Sequence, residues 1–250
     1  EVFYVVKPHI ACDLGDIAEN LVITGDPKRV EILAKLLDDK QKVAENRQYI
    51  TYTGRYKDIE VSIMSTGIGA AATAIALEEA YDLGVMNIIR VGTIGALRPG
   101  IKTGDIIIPY AAVRDEHTSE NYAPPEFPAV ATPKVYETLT KMATKTKLKV
   151  FTGIIWTSDI FYLKEDWLYN FWKEKNVIGV EMETSLLFVF GQINDVQVGS
   201  ILVVDGNIVE GTGKGQLEKE LPADRTTKVM KSLKEAFKVA LETFVELSKE

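Results

Sequence analysis

The chain reads as an α/β protein. Three observations predict it: short apolar runs recur along all 250 residues, segments of helical periodicity separate them, and glycine or proline stands at many junctions. Alternation of this kind folds as an α/β sandwich with a mixed or parallel sheet. Residues 21–24 (LVIT) form the first strand. Gly25 turns the chain, Asp26 is a suitable N-cap and Pro27 a suitable first helical residue. Val30, Ile32, Leu33, Leu36 and Leu37 follow at helical spacing. Residues 49–56, with Gly54, read as part of a hairpin and 61–65 (VSIMS) as a core strand. Gly67-Ile68-Gly69 leads into an Ala-rich helix over 70–83, and residues 87–91 (NIIRV) form a strand ending at Gly92. Further strands are 105–109, 153–156 and 201–204 (ILVV), the last preceded by a helix over 182–190. Residues 225–249 make a long amphipathic helix on the line Val229, Leu233, Phe237, Leu241, Phe244 and Leu247. The Pro-rich stretch 114–133 reads as a functional surface loop and the glycine-rich 206–222 as a second long loop. Neither divides the chain, so residues 1–250 read as one domain.

Composition narrows the function. With 46% apolar and 26% charged residues the chain is globular, neither disordered nor fibrous. The formal charge of −7 argues against a general nucleic-acid binder, which needs a phosphate-neutralising surface. A small anionic substrate stays open, because a few arginines reverse the field inside a cleft. Cys12 is the single cysteine, so an intrachain disulfide and a paired-cysteine zinc site are excluded and a reducing compartment is expected. Only His9 and His117 are available for a histidine metal site, so no metal is expected. No apolar run approaches membrane-span length, and residues 1–10 lack a signal-peptide pattern. The expected location is the cytoplasm, with no membrane and no nucleic acid as partner.

Four features carry candidate chemistry, each beside a plainer reading. Residues 67–72 (GIGAAA) match a dinucleotide-binding turn, but the following strand carries Arg90 where that fold wants an acid; close strand–helix packing explains the glycines equally. Residues 211–215 (GTGKG) lack P-loop spacing. Arginine is scarce, seven against 22 lysines, which makes Arg29 after the Gly25 turn and Arg90 inside an apolar strand informative. A buried guanidinium needs an anion: either an acidic neighbour or a bound oxyanion gripped by its fork, with Gly92 and Thr93 alongside. Glu181-Met182-Glu183 either caps the next helix or places a carboxylate on vicinal sugar hydroxyls. Asp205, at a strand end, is either a turn residue or a proton donor where open α/β sheets bind ligands.

Read together, TGDPKR (24–29), IIRVGTIGAL (88–97), SDIFY (158–162), GVEMET (179–184) and ILVVDGN (201–207) resemble the nucleoside phosphorylase family of hexameric purine nucleoside phosphorylases and uridine phosphorylases. AAVR (111–114), FPAV (127–130) and the VDG turn are most similar to the apicomplexan parasite type. The resemblance implies a phosphorylase/hydrolase-like three-layer α/β/α sandwich around a central mixed sheet. It implies that Gly25, Arg29, Arg90 and Thr93 bind phosphate within one subunit, and that a neighbouring subunit lends Arg47. Met182 and Glu183 would hold the ribose, with His9 reaching the 5′-hydroxyl from the adjacent subunit. Phe161, Val180 and Glu181 would border the base, and Asp205 would be the general acid at purine N7. Arg225 resembles an arginine that assists the catalytic aspartate in some bacterial enzymes. Glu165 and Trp167 stand where bacterial uridine phosphorylases read uracil with Gln and Arg, which favours a purine.

The implied reaction is nucleoside plus phosphate to free base plus ribose 1-phosphate, in nucleoside salvage, with inorganic phosphate as co-substrate and no cofactor. Phosphate clamped by arginines would face the oxocarbenium-like sugar, and a buried Asp205 would hold its proton for the leaving base. A homo-oligomer is implied, with a dimer as catalytic unit, often in a hexamer. Uridine phosphorylase is the nearest alternative; 5′-methylthioadenosine phosphorylase, a hydrolytic nucleosidase, a nucleoside sensor and an NADP oxidoreductase are the others. Arg90→Ala is expected to weaken phosphate dependence far more than folding.

Overall fold

The computed structural model describes residues 6–163, 167–214 and 223–249. Hydrophobic alternation along the central strands gives the sheet two buried faces. In β1 (Asn20–Thr24), Leu21 and Ile23 belong to one core and Val22 to the other. β5 (Asn87–Ala96) repeats this with Ile88 and Ile94 against Ile89 and Val91. β10 (Gln197–Asn207) does so with Leu202 and Val204 against Ile201 and Val203. The first core is closed by α2 (Ala70–Tyr81) and α5 (Thr184–Ile193), the second by α1 (Pro27–Leu33), α3 (Pro133–Ala143) and α6 (Ala223–Leu247). Helix layers on both faces of a mixed sheet are the architecture expected from the sequence.

The start of α1 forms for the anticipated reason: Asp26 accepts a hydrogen bond from the Lys28 amide at 2.9 Å, and Pro27 follows. Along α6, Val229, Leu233, Phe237, Leu241 and Phe244 are buried in the second core and Leu247 packs on its margin. Truncating the fully buried Phe237 to Ala would cost about 3–5 kcal/mol.

The strands run β2 (Asp38–Asn46), β3 (Tyr49–Tyr56), β4 (Ile59–Ser65), β1, β5, β10, β6 (Ile106–Asp115), β8 (Val150–Ser158) and β9 (Gly179–Glu181). β9 then pairs back onto β5 through Gly95↔Val180 and Ala96↔Gly179, so five strands close into a ring. β4, β1, β5 and β10 are parallel neighbours, and their carboxyl ends point one way.

Several expectations change. β5 does not end at Gly92 but continues to Ala96, because this glycine makes room rather than a stop: a Cβ there would stand 2.8 Å from Cζ of Arg90. Met182 and Glu183 precede α5, which starts at Thr184 with Glu183 as N-cap residue. None of residues 114–133 lines the cavity described below, and the stretch is not structureless. It folds through β7 (Ala129–Val130), which pairs with β6, and Arg114 donates to the carbonyls of Ala123, Pro124 and Phe127. β2, α3 and α4 (Trp167–Glu174) occupy stretches the sequence reading leaves unassigned. β2 is polar and exposed, an edge strand held by pairing with β3 rather than by burial. Of the second predicted loop, 206–207 belong to β10 and 215–222 lie outside the described residues.

Candidate active site

The four parallel strands deliver their chemistry to one end, where open α/β sheets bind ligands. Gly25 follows β1 and Gly67 follows β4, side by side, with the Gly67 amide donating to the Gly25 carbonyl at 3.0 Å. A side chain on Gly25 would put Cβ 3.1 Å from the Gly67 carbonyl oxygen, so glycine permits the approach. These turns, β5, the Glu181–Glu183 segment and the end of β10 enclose a cavity of about 1090 Å³. Gly25, Arg29, Arg90, Thr93, Phe161, Val180, Glu181, Met182, Glu183 and Asp205 all line it. Sequence-distant candidates therefore converge, while His9, Arg47 and Arg225 do not line the cavity.

Arg90 is 4% exposed and extends from β5 along the face left open by Gly92. Its Nε donates to Oε2 of Glu181 at 3.1 Å; Nη2 stands 3.0 Å from the same oxygen and 2.5 Å from Oε2 of Glu183. Glu181 is further saturated: Thr157 Oγ1 donates at 2.6 Å, the Glu183 amide at 2.9 Å and the Thr184 amide at 3.0 Å. With both oxygens occupied by protein donors, Glu181 anchors Arg90 and the start of α5 rather than presenting a free carboxylate to a base. Glu183 also accepts the Gly69 amide at 2.6 Å, at the head of α2, so the GIGAAA turn serves a carboxylate. Two buried carboxylates share one guanidinium. Burial alone would lower the Arg90 pKa, but Glu183 and Glu181 carry it upward. Burial, with Glu181 adding to it against Arg90, raises that of Glu183. The plainer reading of Arg90 holds, since it is ion-paired to acidic neighbours, and the same side chain lines the cavity.

Arg29 is differently placed. Its ion pair with Asp26 is long, 4.0 Å, and its side chain is 15% exposed. Burial pulls its pKa down, with Asp26 and Asp205 opposing and Arg90 adding to the fall. A cation so buried and so loosely matched is stabilised by an incoming anion.

Asp205 owes its position to a β-bulge. Val204 pairs with Ile94 of β5 and Gly206 with Gly95, so Asp205 is the extra residue, and a bulge re-aims a side chain. Burial raises its carboxyl pKa, while Lys214, Arg225, Arg29 and a hydrogen bond from Thr93 pull the other way; the net direction is up. Lys214 Nζ stands 3.9 Å from its Oδ2. Arg225 does not grip the carboxylate. Its Nε donates to the Asp205 carbonyl at 2.6 Å, Nη2 donates to the same oxygen, and Nη2 also reaches the Thr212 carbonyl at 2.7 Å. It therefore fixes the bulge backbone.

Phe161, 45% exposed, stands with Ile160 and Tyr162 at the cavity lip, and Val180 and Ile208 add apolar wall. Trp167 is exposed and does not line the cavity; Glu165 lies outside the described residues. His9 and Arg47 share a neighbourhood elsewhere: Asn46, beside Arg47, donates through Nδ2 to the His9 carbonyl at 2.9 Å. Glu79 accepts both the His9 and Ile10 amides, and its Oε1 is 2.6 Å from His9 Nδ1, which donates to it. Arg47 is exposed at the β2–β3 hairpin tip with φ +54°, a left-handed backbone.

Sequence reasoning missed Gln48, Tyr169, Ile208 and Lys214 as lining residues. Gln48 adjoins the singled-out Arg47, and Lys214 sat in a motif set aside for failing P-loop spacing. Among the described residues no group of three or more His, Cys, Asp and Glu is arranged to hold a metal ion, and no helix is long and apolar enough to cross a membrane.

A parallel-strand site of glycine turns, two buried arginines and a carboxylate pair defines the class: the chain belongs to the phosphorylase superfamily, whose family model matches residues 20–246. It is similar to the guanosine phosphorylase of Halorubrum lacusprofundi (35% identity, covering 91% of this chain and 95% of that protein). It is also similar to the uridine phosphorylase of Thermococcus kodakarensis (37%; 89% and 86%) and the purine nucleoside phosphorylase of Plasmodium vivax (34%; 98% of each). Among solved structures, uridine phosphorylase from Vibrio fischeri complexed with 6-hydroxy-1-naphthoic acid superposes with a TM-score of 0.89 at 33% identity, covering 96% of both chains. Within the superfamily the chain is a nucleoside phosphorylase, a pentosyltransferase that joins nucleoside and phosphate chemistry.

Proposed function

We propose that the chain is a purine nucleoside phosphorylase: it splits purine ribonucleosides reversibly with phosphate, giving free base and ribose 1-phosphate. The observation that carries this reading is Asp205, a buried carboxyl with a raised pKa on a bulge inside the cavity that also holds Arg29, Arg90 and Glu183. A carboxyl that keeps its proton can give it to N7 of a departing purine. Uracil has no N7, so on uridine this acid would have only the ring carbonyl oxygens to serve.

The other groups take consistent roles. Phosphate binds between the Gly25 turn, Arg29, Arg90 and Thr93, giving Arg29 a closer anion than Asp26. The sugar lies on Met182 with its 2′- and 3′-hydroxyls donating to Glu183, whose charge borders the forming oxocarbenium ion. Phe161, Val180 and Ile208 pack the base. Phosphate then attacks C1′ from the side opposite the base as the glycosidic bond breaks, and the electron pair left on the purine is taken up by the proton from Asp205. His9 and Arg47, outside the cavity but together on one surface, serve the site of a neighbouring subunit; the catalytic unit is a dimer, assembled as a hexamer. A lone, buried, unpaired Cys12 speaks for a cytoplasmic home.

The test is a panel of inosine, guanosine, adenosine and uridine with and without phosphate. Phosphate-dependent release of purines is the expected result. Cleavage of uridine alone would overturn the proposal in favour of uridine phosphorylase, and cleavage without phosphate would make the protein a hydrolase.

A further inference from the structure

Among the described residues that line the cavity, Lys214 is the one cationic side chain with no place in the scheme so far. It is 44% exposed at the side chain, lines the cavity with Asp205 and Ile208, and sets its ammonium 3.9 Å from Oδ2 of Asp205. That separation is longer than a hydrogen bond. The two groups therefore face together whatever lies over them: the carboxyl assigned above as proton donor, and an ammonium that has three donors and no acceptor.

We propose that Lys214 is a specificity-determining residue that selects 6-oxopurine nucleosides over 6-aminopurine nucleosides. The inference rests on the purine reading above. The edge of a purine that carries N7 also carries the 6-substituent. In guanine that edge offers two adjacent acceptors, N7 and O6; in adenine it offers one acceptor and one amino donor. Hypoxanthine shares the acceptor pair. A base that takes the Asp205 proton at N7 turns its 6-position toward the neighbouring ammonium. A carbonyl there is hydrogen-bonded by a charged donor. An amino group meets a second donor and strips water from the ammonium without replacing it, and an unpaired polar group in a site is what rejects a wrong substrate most strongly.

The experiment is steady-state kcat/KM for inosine, adenosine and purine riboside, which has N7 but no 6-substituent, in the intact enzyme, in Lys214→Met and in Lys214→Arg. Removing the lysine also changes the acidity of Asp205, but all three substrates use N7, so that effect cancels in ratios. In Lys214→Met the inosine-to-purine riboside and inosine-to-adenosine ratios fall about 10- to 100-fold, the span of one hydrogen bond to a charged group. Lys214→Arg keeps most of the preference. Purine turnover with both ratios unmoved in Lys214→Met overturns the role of Lys214 and leaves the purine reading standing. Uridine turnover without any purine turnover in the intact enzyme removes that reading first.

Discussion

Arg90 and Glu181 meet at a single carboxylate oxygen: Nε donates to Oε2 at 3.1 Å and Nη2 lies 3.0 Å from it. Glu183 takes the same Nη2 from the other side at 2.5 Å. The guanidinium is thus held before any substrate arrives, on a strand position opened by Gly92. Preorganised charge of this sort needs no rearrangement during reaction.

The pairing adds a folding cost to the phosphate defect expected of Arg90→Ala. The substitution leaves Glu181 and Glu183 buried without their cation, and breaking a buried pair from one side costs about 3–5 kcal/mol. Urea unfolding of Arg90→Ala should show that loss together with weakened phosphate saturation. An unmoved midpoint would mean the carboxylates find other compensation.

Gly92→Ala tests the geometry from the backbone side. Its Cβ would stand 2.8–2.9 Å from Cζ and the terminal nitrogens of Arg90. Overpacking of this degree costs about 1–3 kcal/mol, and the displaced guanidinium raises KM for phosphate more than KM for nucleoside. Equal changes in both constants would argue against Arg90 as a phosphate ligand.

Asp205→Asn removes the proposed proton donor, and purine phosphorolysis falls about 10²- to 10⁴-fold. The pH sign follows from the raised pKa. The acid form is the active one, so activity declines as pH climbs through the folded-state value. The folded protein also holds this proton to higher pH than the unfolded chain does. Stability contributed here is complete below the unfolded value and fades as pH rises through the folded one. In Asp205→Asn that fall should vanish from denaturation curves taken across pH, and a slope identical to that of the intact protein would contradict the burial argument.

If Arg47 is lent across an interface, Arg47→Ala and Asp205→Asn damage the same site from different chains. A mixed dimer then contains one site with both changes and one with neither. Co-expression should restore activity that neither variant has alone, measured on phosphate-dependent inosine cleavage. No restoration in verified mixed oligomers would place Arg47 outside the neighbour's site.

The elements legible in the sequence were those whose signal is local. Asp26-Pro27 announces α1 because a cap and a fixed φ act within one turn, and α6 is announced by apolar residues recurring on one face. The segments around Arg29, Arg90, Glu181–Glu183 and Asp205 stood out because charge inside or beside an apolar strand is costly and so informative. β2 was invisible because its polar residues are held by pairing with a distant partner, and Lys214 because nothing in its own segment points to Asp205.

By itself, then, the sequence determined the α/β class and singled out Arg29, Arg90, Glu181–Glu183 and Asp205 as candidates for an oxyanion, a sugar and a proton, since these follow from side-chain chemistry and short-range periodicity. Tertiary structure decided which groups meet. It tied Glu181 to Arg90, set Arg225 on the Asp205 carbonyl, turned Asp205 into the cavity on a bulge, and set His9 and Arg47 apart from the other candidates. Those outcomes depend on strand register and on contacts between segments tens of residues or more apart, and neither register nor long-range contact is written in any local stretch of chain.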